Sequence, residues 1–327
     1  MDPVISGIVR RTLLALPATL LGQASAQDFP TRSLTWVVPF PPGNIADAAS
    51  RVVARRMGQG LGRYVEVENR PGVGGTLGAE AVARAAPDGS TLLYGGLGPI
   101  AAAPHLIPNL RFDPLRDLAP VHGIGASPCV IVVGPRQPWT TLAEFIAAAR
   151  ARPESLAYAS PGIGTAPHLA AEVFQAIAHV RLLHVPYVNT AEILNDVMGG
   201  RVDATWDFPL TAAPPVHEGR LRALAVTDFD RVRIASEVPT MMECGFPGAE
   251  MGGWAGVFAP ARTPSATIAL LAAALREALL DPPVQEFFDG TGTVLWPGMG
   301  PECFRAFLAE ELPRIASIIS RARTWPR

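Results

Sequence analysis

Hydrophobic and polar positions follow two periods along this chain, and the periods alternate. Leu34 to Val38 is a short apolar run rich in β-branched and aromatic residues, stopped by Pro39-Phe40-Pro41-Pro42-Gly43, and it predicts a strand. From Ile45 to Leu61 the apolar positions Ala49, Val52, Val53, Met57 and Leu61 recur at helical spacing. Tyr64 to Val67 reads as a second strand, Gly75 to Ala86 as a helix and Thr91 to Tyr94 as a third strand, with Pro87-Asp88-Gly89 turning between the last two. A second set begins with strand Val130 to Val133 and helix Thr141 to Arg152, N-capped by Thr140 or Thr141. Strand Leu156 to Ala159, helix Ala166 to Ile177, strand Leu182 to Val185, helix Ala191 to Met198 and strands Asp203 to Trp206 and Leu221 to Val226 follow. Trp254 to Ala259 resembles the first set again and leads into an Ala/Leu helix, Pro264 to Leu280, and a last amphipathic helix from Pro301 to about Ala322. Strands alternating with helices over short connections predict parallel sheets covered by helices. No repeat of 20–50 residues is present, which excludes a solenoid.

The first residues break this pattern. Arg10-Arg11 precede the apolar run Thr12 to Leu21, and Ala24-Ser25-Ala26 ends the segment. A positive flank, a ten-residue apolar core and an Ala-x-Ala end are the three parts of a secretory leader, expected over 1–26 with cleavage near Ala26 and release to the periplasm. The run falls far short of the ~20 residues a membrane span needs.

Composition narrows the chemistry. The 327 residues are 49% hydrophobic and 17% charged, enough apolar material for a large core and against wholesale disorder. Basic and acidic residues nearly cancel, at 27 against 29, so nucleic acid is not an expected partner. Every basic residue is Arg, which removes a Schiff-base or P-loop Lys. Cys129, Cys244 and Cys303 lack CxxC spacing, which excludes a zinc cage and a redox dithiol. One bridge among them stays open, with three buried thiols as the default.

Gly72-Val73-Gly74-Gly75-Thr76-Leu77-Gly78 superficially matches a dinucleotide loop, but Leu77 stands where the third glycine is needed. No GxSxG elbow, HExxH or Walker A loop is present. His168 and Glu172 share a helix face but lack a third metal ligand, and the other histidines show no ligand spacing. No cofactor, metal or catalytic residue is expected. An enzyme using Asp207 or His168 as acid/base needs a partner that tunes its pKa, and none is legible.

Two strand-to-helix loops remain. Pro41-Pro42-Gly43-Asn44-Ile45-Ala46-Asp47 offers small residues at a helix N-terminus, and Ser160-Pro161-Gly162-Ile163-Gly164-Thr165-Ala166-Pro167-His168 does the same and adds the Ser160 and Thr165 hydroxyls. Free amides at a helix start suit a carboxylate or phosphate. Two such loops from two α/β lobes suggest a cleft that clamps a small anion.

Several stretches carry a family resemblance: Trp36-Val-Val-Pro-Phe-Pro-Pro-Gly43, Val67-Glu-Asn-Arg-Pro-Gly-Val-Gly-Gly75, Ala79 to Gly89, Gly162-Ile-Gly-Thr-Ala-Pro-His168, Val185-Pro-Tyr187, Leu221 to Thr227 and Val238-Pro-Thr240. Together they resemble the substrate-binding proteins of tripartite tricarboxylate transporters, the Bordetella uptake gene family. The resemblance implies an α/β, two-lobed, type II periplasmic binding protein fold, each lobe a mainly parallel sheet flanked by helices, with two crossover strands. Lobe one is expected at 30–130 plus 253–327 and lobe two at 131–252. It further implies capture of a small carboxylated metabolite for integral membrane transporter subunits; a monomer is expected, and the alternatives on the same fold are a ligand-dependent partner of a membrane sensor and an exported enzyme using the same cleft. Its implied ligand residues are Pro42, Gly43, Asn44, Ile45 and Asp47, with Gly75, Gly96 and Leu97 nearby. From the second lobe come Ser160, Gly162, Gly164, Thr165 and His168, with Tyr187 and Asp207 toward the cleft floor. The sequence departs from the family where Asn44 replaces a second Gly, Ala46 a hydroxyl residue, and Val188-Asn189 the usual Lys-Gly.

Overall fold

The computed structural model describes residues 29–187 and 191–324; the leader expected at 1–26 and the Val188-Asn189 departure lie outside them. In chain order, β1 (Leu34–Val38), α1 (Ile45–Leu61), β2 (Val65–Asn69), α2 (Thr76–Ala83) and β3 (Thr91–Gly96) come first. A π-helical turn (Leu97–Ala102), two short helices, α3 (Ala103–Leu106) and α4 (Pro114–Asp117), and the long strand β4 (Leu118–Pro128) follow. Next are β5 (Val130–Val133), α5 (Leu142–Ala151), β6 (Ala157–Ser160), α6 (Ala166–Ala178), β7 (Leu183–Pro186), α7 (Ala191–Gly199), β8 (Ala204–Asp207), α8 (Pro209–His217) and β9 (Arg222–Val226). Then come β10 (Gly252–Pro260), α9 (Ser265–Leu279), α10 (Pro282–Thr291), β11 (Val294–Leu295) and α11 (Pro301–Thr324).

Local chemistry accounts for these boundaries. Helix α1 starts where the Asn44 side chain accepts the Asp47 amide, and it stops at Gly62, whose φ of 61° suits glycine. Its Ala46, Ala49, Val53, Ala54 and Met57 face the core. Helix α5 opens on a capping box in which the Thr141 and Glu144 side chains exchange bonds with each other's backbone. The expected helix from Gly75 begins one residue later, because Gly75 sits at φ 94°, outside the helical region. Several elements fall outside the expected pattern: β4, which mixes Gly, Pro and His with apolar residues, the Pro-rich α8, the short α3 and α4, and α10 with β11.

The strands form two sheets, ordered β11-β4-β10-β3-β1-β2 and β7-β6-β8-β5-β9. In the first, β1 pairs parallel with β2 and β3, while β10 runs antiparallel to β3 and β4. In the second, β6 pairs parallel with β7 and β8, while β5 runs antiparallel to β8 and β9. Each sheet is therefore mixed: a parallel trio, then a reversed strand (β10 or β5) that enters from the other sheet, and beyond it β4 with β11 in the first sheet and β9 in the second. The chain makes those two crossings between β4 and β5 and between β9 and β10. Thr227 joins them: its amide donates to Cys129 O at 2.8 Å, its hydroxyl donates to Met251 O at 2.6 Å, and its Oγ1 accepts the Cys129 amide at 2.8 Å.

Helices cover the sheets. In the second, Trp206 packs against Tyr158 and Phe174, with centroids 5.6 and 5.2 Å apart. In the first, Phe304 of α11 lies 5.2 Å from Phe258. A side chain at Gly256 would clash there, since an added Cβ meets Phe304 at 2.2 Å. All three cysteines are free, and the three-buried expectation fails at Cys303, which is exposed on α11; Cys129 is buried and Cys244 half-buried.

Candidate functional site

The topology of each sheet marks one place for a ligand. From β1 the chain passes through α1 to β2 on one side and then to β3 on the other, so the strand order reverses between β1 and β3. From β6 it passes through α6 to β7 and then to β8 on the other side, reversing between β6 and β8. In α/β sheets the crevice at such a reversal, beyond the carboxyl ends of the strands, is where ligands sit. The two loops singled out by sequence, after β1 and after β6, both occupy these positions.

In the first loop, Asp47 is 5% exposed and organises its neighbours rather than facing outward. Its Oδ2 accepts the Gly43 amide at 3.0 Å and Arg51 Nε at 3.1 Å, and its Oδ1 accepts Asn69 Nδ2 at 2.9 Å. Burial acts to raise the Asp47 pKa, but the Arg51 guanidinium, the Gly43 amide and the Asn69 amide outweigh it and hold the carboxyl below its ordinary value. Asn69 Nδ2 also donates to Phe40 O at 3.1 Å, anchoring the preceding turn. Pro42 is exposed and Asn44 half-buried. The amides of Ile45 and Ala46, in the first turn of α1, have no acceptor within the helix.

The second loop is held from inside. The Thr165 hydroxyl donates to Gly162 O at 2.7 Å, and Ser160 Oγ is hydrogen-bonded with His184 Nε2 at 2.7 Å. The Gly162 amide donates to Ser160 Oγ at 3.2 Å, and the Gly164 amide to His168 Nδ1 at 3.2 Å. Both hydroxyls and both glycine amides are thus engaged, by atoms of the loop, by His168 of α6 and by His184 of β7. The first-turn amides of α6 at Ala166 and His168 lack an intrahelical acceptor, and Pro167 has no N–H.

The second loop meets the other lobe at the turn after β3 and at α3. A Cβ built on Gly98, in the π-helical turn after β3, lies 3.4 Å from Gly74 O and 3.7 Å from Gly164 O. One built on Gly164 meets Leu106 Cδ1 at 2.7 Å and Ala102 Cβ at 3.4 Å. Gly75 is packed by Pro39, Phe40 and Pro99 and Gly96 by the Trp254 carbonyl, and Leu97 is buried in the core, so all three sit inside the first lobe. Gly253 of the crossover strand β10 approaches Ala166 and Phe208.

Asp207 closes β8. Its Oδ1 accepts the Phe208 amide at 2.7 Å and the Thr211 hydroxyl at 2.8 Å. Burial pushes its carboxyl up to about 6 against these two bonds. Tyr187 follows β7; its amide donates to Ser160 O at 2.9 Å and its hydroxyl to Asp196 Oδ2 of α7 at 2.7 Å. His168 and Glu172 point their bonds apart, Glu172 accepting the Tyr158 hydroxyl at 2.8 Å. Among the described residues no group of three or more His, Cys, Asp or Glu is placed to hold a metal.

Sequence reasoning passed over His184, Asn69, Arg51 and Gly98. Asn69 lies inside a quoted family stretch, but its partnership with Asp47 bridges two elements and leaves no spacing to read. Two surface depressions, of about 730 Å³ beside α5 and Cys244 and about 900 Å³ between α3 and α11, contain no residue of either loop. Among the described residues no helix is long and apolar enough to cross a membrane.

Known proteins align with this architecture. Residues 49–323 match the model of the tripartite tricarboxylate transporter family receptor. Protein BugT of Bordetella pertussis is 35% identical over 304 residues, covering 92% of this chain and 93% of BugT. MatC from Rhodopseudomonas palustris, solved with bound malate, is 32% identical with a TM-score of 0.82, covering 89% of this chain and 100% of MatC. A second R. palustris protein, solved with adipate, is 32% identical with a TM-score of 0.84, covering 90% of this chain and 98% of its own.

Proposed function

The chain belongs to the tripartite tricarboxylate transporter receptor family, and from that membership we propose that it captures a small carboxylate-bearing metabolite outside the cytoplasm and presents it to integral membrane transporter subunits. It is a binding protein of the periplasmic type, not an enzyme. The observation that carries the ligand class is that two helix N-termini, those of α1 and α6, each lie at the strand-order reversal of their own sheet. Amides oriented by a helix favour negative charge by roughly 0.3–1 kcal/mol each when exposed and up to ~2 when partly buried. Relatives solved with malate and with adipate support the same class.

In this reading the lobes are 30–130 plus 253–327 and 131–252. The strands of the two sheets divide at those limits to within one residue. The leader at 1–26, read from Arg10-Arg11, the apolar run and Ala24-Ser25-Ala26, exports the protein, which works as a monomer. Ligand contacts come from Pro42, Asn44 and Ile45 on one side and from the Gly162–Thr165 turn on the other, with Asp207 at the floor.

A thermal-shift screen of mono-, di- and tricarboxylates, malate and adipate included, tests the reading. A ligand at 100 times its dissociation constant adds roughly 2.7 kcal/mol, a shift of several degrees. No stabilisation by any carboxylate, with a clear shift from an uncharged solute, overturns it.

A further inference from the structure

Side chains from three elements converge on the loop between β6 and α6. From α6, His168 Nδ1 accepts the Gly164 amide at 3.2 Å. From β7, His184 Nε2 is hydrogen-bonded with Ser160 Oγ at 2.7 Å, and the same oxygen accepts the Gly162 amide at 3.2 Å. The two imidazole centroids lie 4.6 Å apart, and His184 stacks on Tyr158 of β6 at 4.8 Å. Gly162 and Gly164 stand at φ 119° and 85°. Glycine has the most conformational freedom to lose, so such a loop needs external ties to keep one shape. Each glycine amide has one, Gly164 directly to an imidazole and Gly162 through Ser160.

We propose that His168 and His184 are positioning residues for the second ligand loop, holding the Gly162 and Gly164 amides inward so that those of Ile163 and Ala166 face the ligand, while neither imidazole touches it. The inference rests on the reading of this loop as a ligand loop. An Nδ1 that accepts a backbone N–H carries no proton, so His168 is the neutral Nε2–H tautomer. Burial supports this: it lowers the pKa of His168 to about 3, with His184 adding to the effect, and that of His184 to about 4. Ser160 is fully buried, which suits a relay and not a ligand donor.

Four variants separate the roles. His168→Leu and His184→Phe remove the bonds, whereas His168→Asn and His184→Gln place a side-chain oxygen near the lost nitrogen. Hydrogen exchange of peptides spanning 160–168 is read on the unliganded proteins. The first pair is expected to exchange at least about tenfold faster than wild type, a loss of about 1.4 kcal/mol of local stability, and the second pair within about threefold. Circular dichroism stays unchanged throughout. The carboxylate, malate or adipate, that stabilises the wild type also stabilises the Asn and Gln variants and fails on the Leu and Phe variants. Equal loop exchange in all five proteins overturns the proposal. So does a His168→Asn protein that keeps its loop protection but loses binding, because His168 then contacts the ligand. Nitrogen NMR of the wild type gives a check independent of folding: His168 is expected as the Nε2–H tautomer, and Nδ1–H refutes the tie. If neither carboxylate stabilises the wild type, the functional reading is weakened while the exchange rates still decide this one.

Discussion

Asp47 shows how much of the site depends on residues that need not touch a ligand. Its carboxylate gathers the Gly43 amide, Arg51 and Asn69, so Asp47→Asn removes the charge that pairs with Arg51 and one of the two acceptor oxygens these donors share. The variant is expected to lose about 1–3 kcal/mol in urea unfolding at pH 7, the cost of leaving buried donors poorly matched. Because the folded pKa of Asp47 lies below its unfolded value, this contribution is full above the unfolded pKa of 3.8 and disappears as pH falls through the folded one. The histidines work with the opposite chemistry and the same direction. His168 and His184 are held neutral when folded, at about 3 and about 4, while the unfolded chain takes up protons near 6.5. Stability therefore falls as pH drops from about 6.5 toward 4. Asp207, raised to about 6, opposes part of that fall between 6 and 3.8. A melting-temperature series from pH 8 to 4 is expected to be flatter below 6.5 in the His168→Asn/His184→Gln protein than in wild type; identical slopes contradict the buried, neutral pair. Spacing rules assigned His184 no role, since its partners, Ser160 and His168, sit on other elements and come together only in the fold.

At the level of elements, periodicity matched β1, α1 and β5 to the residue, because each is a clean apolar run or helical stripe bounded by Pro, Gly or a cap. Strand β4 escaped it for a physical reason. It is buried between β10 and β11, so its Leu118-Ala-Pro-Val-His-Gly-Ile-Gly-Ala-Ser-Pro128 shows no alternation, and Gly125 is small because an added Cβ meets Val294 O at 2.4 Å. The two candidate loops were legible as glycine turns before helices, but their inward bonding was not. The structure also ranks their glycines. Gly43 sits at φ 84° with nothing within 4 Å of an added Cβ, so Gly43→Ala bears only backbone strain, about 1–2 kcal/mol. Gly164 combines φ 85° with a 2.7 Å approach to Leu106 of the other lobe. Gly164→Ala is expected to cost more than Gly43→Ala in urea unfolding and to weaken carboxylate binding more; the reverse order contradicts the lobe contact at this loop.

For the whole molecule, sequence reasoning reached the α/β class, the family and the two-lobed plan, but strand direction was beyond it. Strands β5 and β10 read like their parallel neighbours because an apolar run carries no sign of which way its hydrogen bonds face. Their reversal follows from the crossings that Thr227 joins. The central claim is that the two helix N-termini, of α1 and α6, hold an ionised carboxylate through backbone amides. Isothermal titration of the carboxylate identified by the thermal screen against its primary amide tests that claim most directly. The amide removes the charge and sets NH₂ donors against N–H donors, at about 1–3 kcal/mol per unpaired group in a closed cleft. The expected result is binding by the acid and at least about tenfold weaker binding by the amide, which is ~1.4 kcal/mol. Equal affinities, or a best ligand with no acidic group, contradict it.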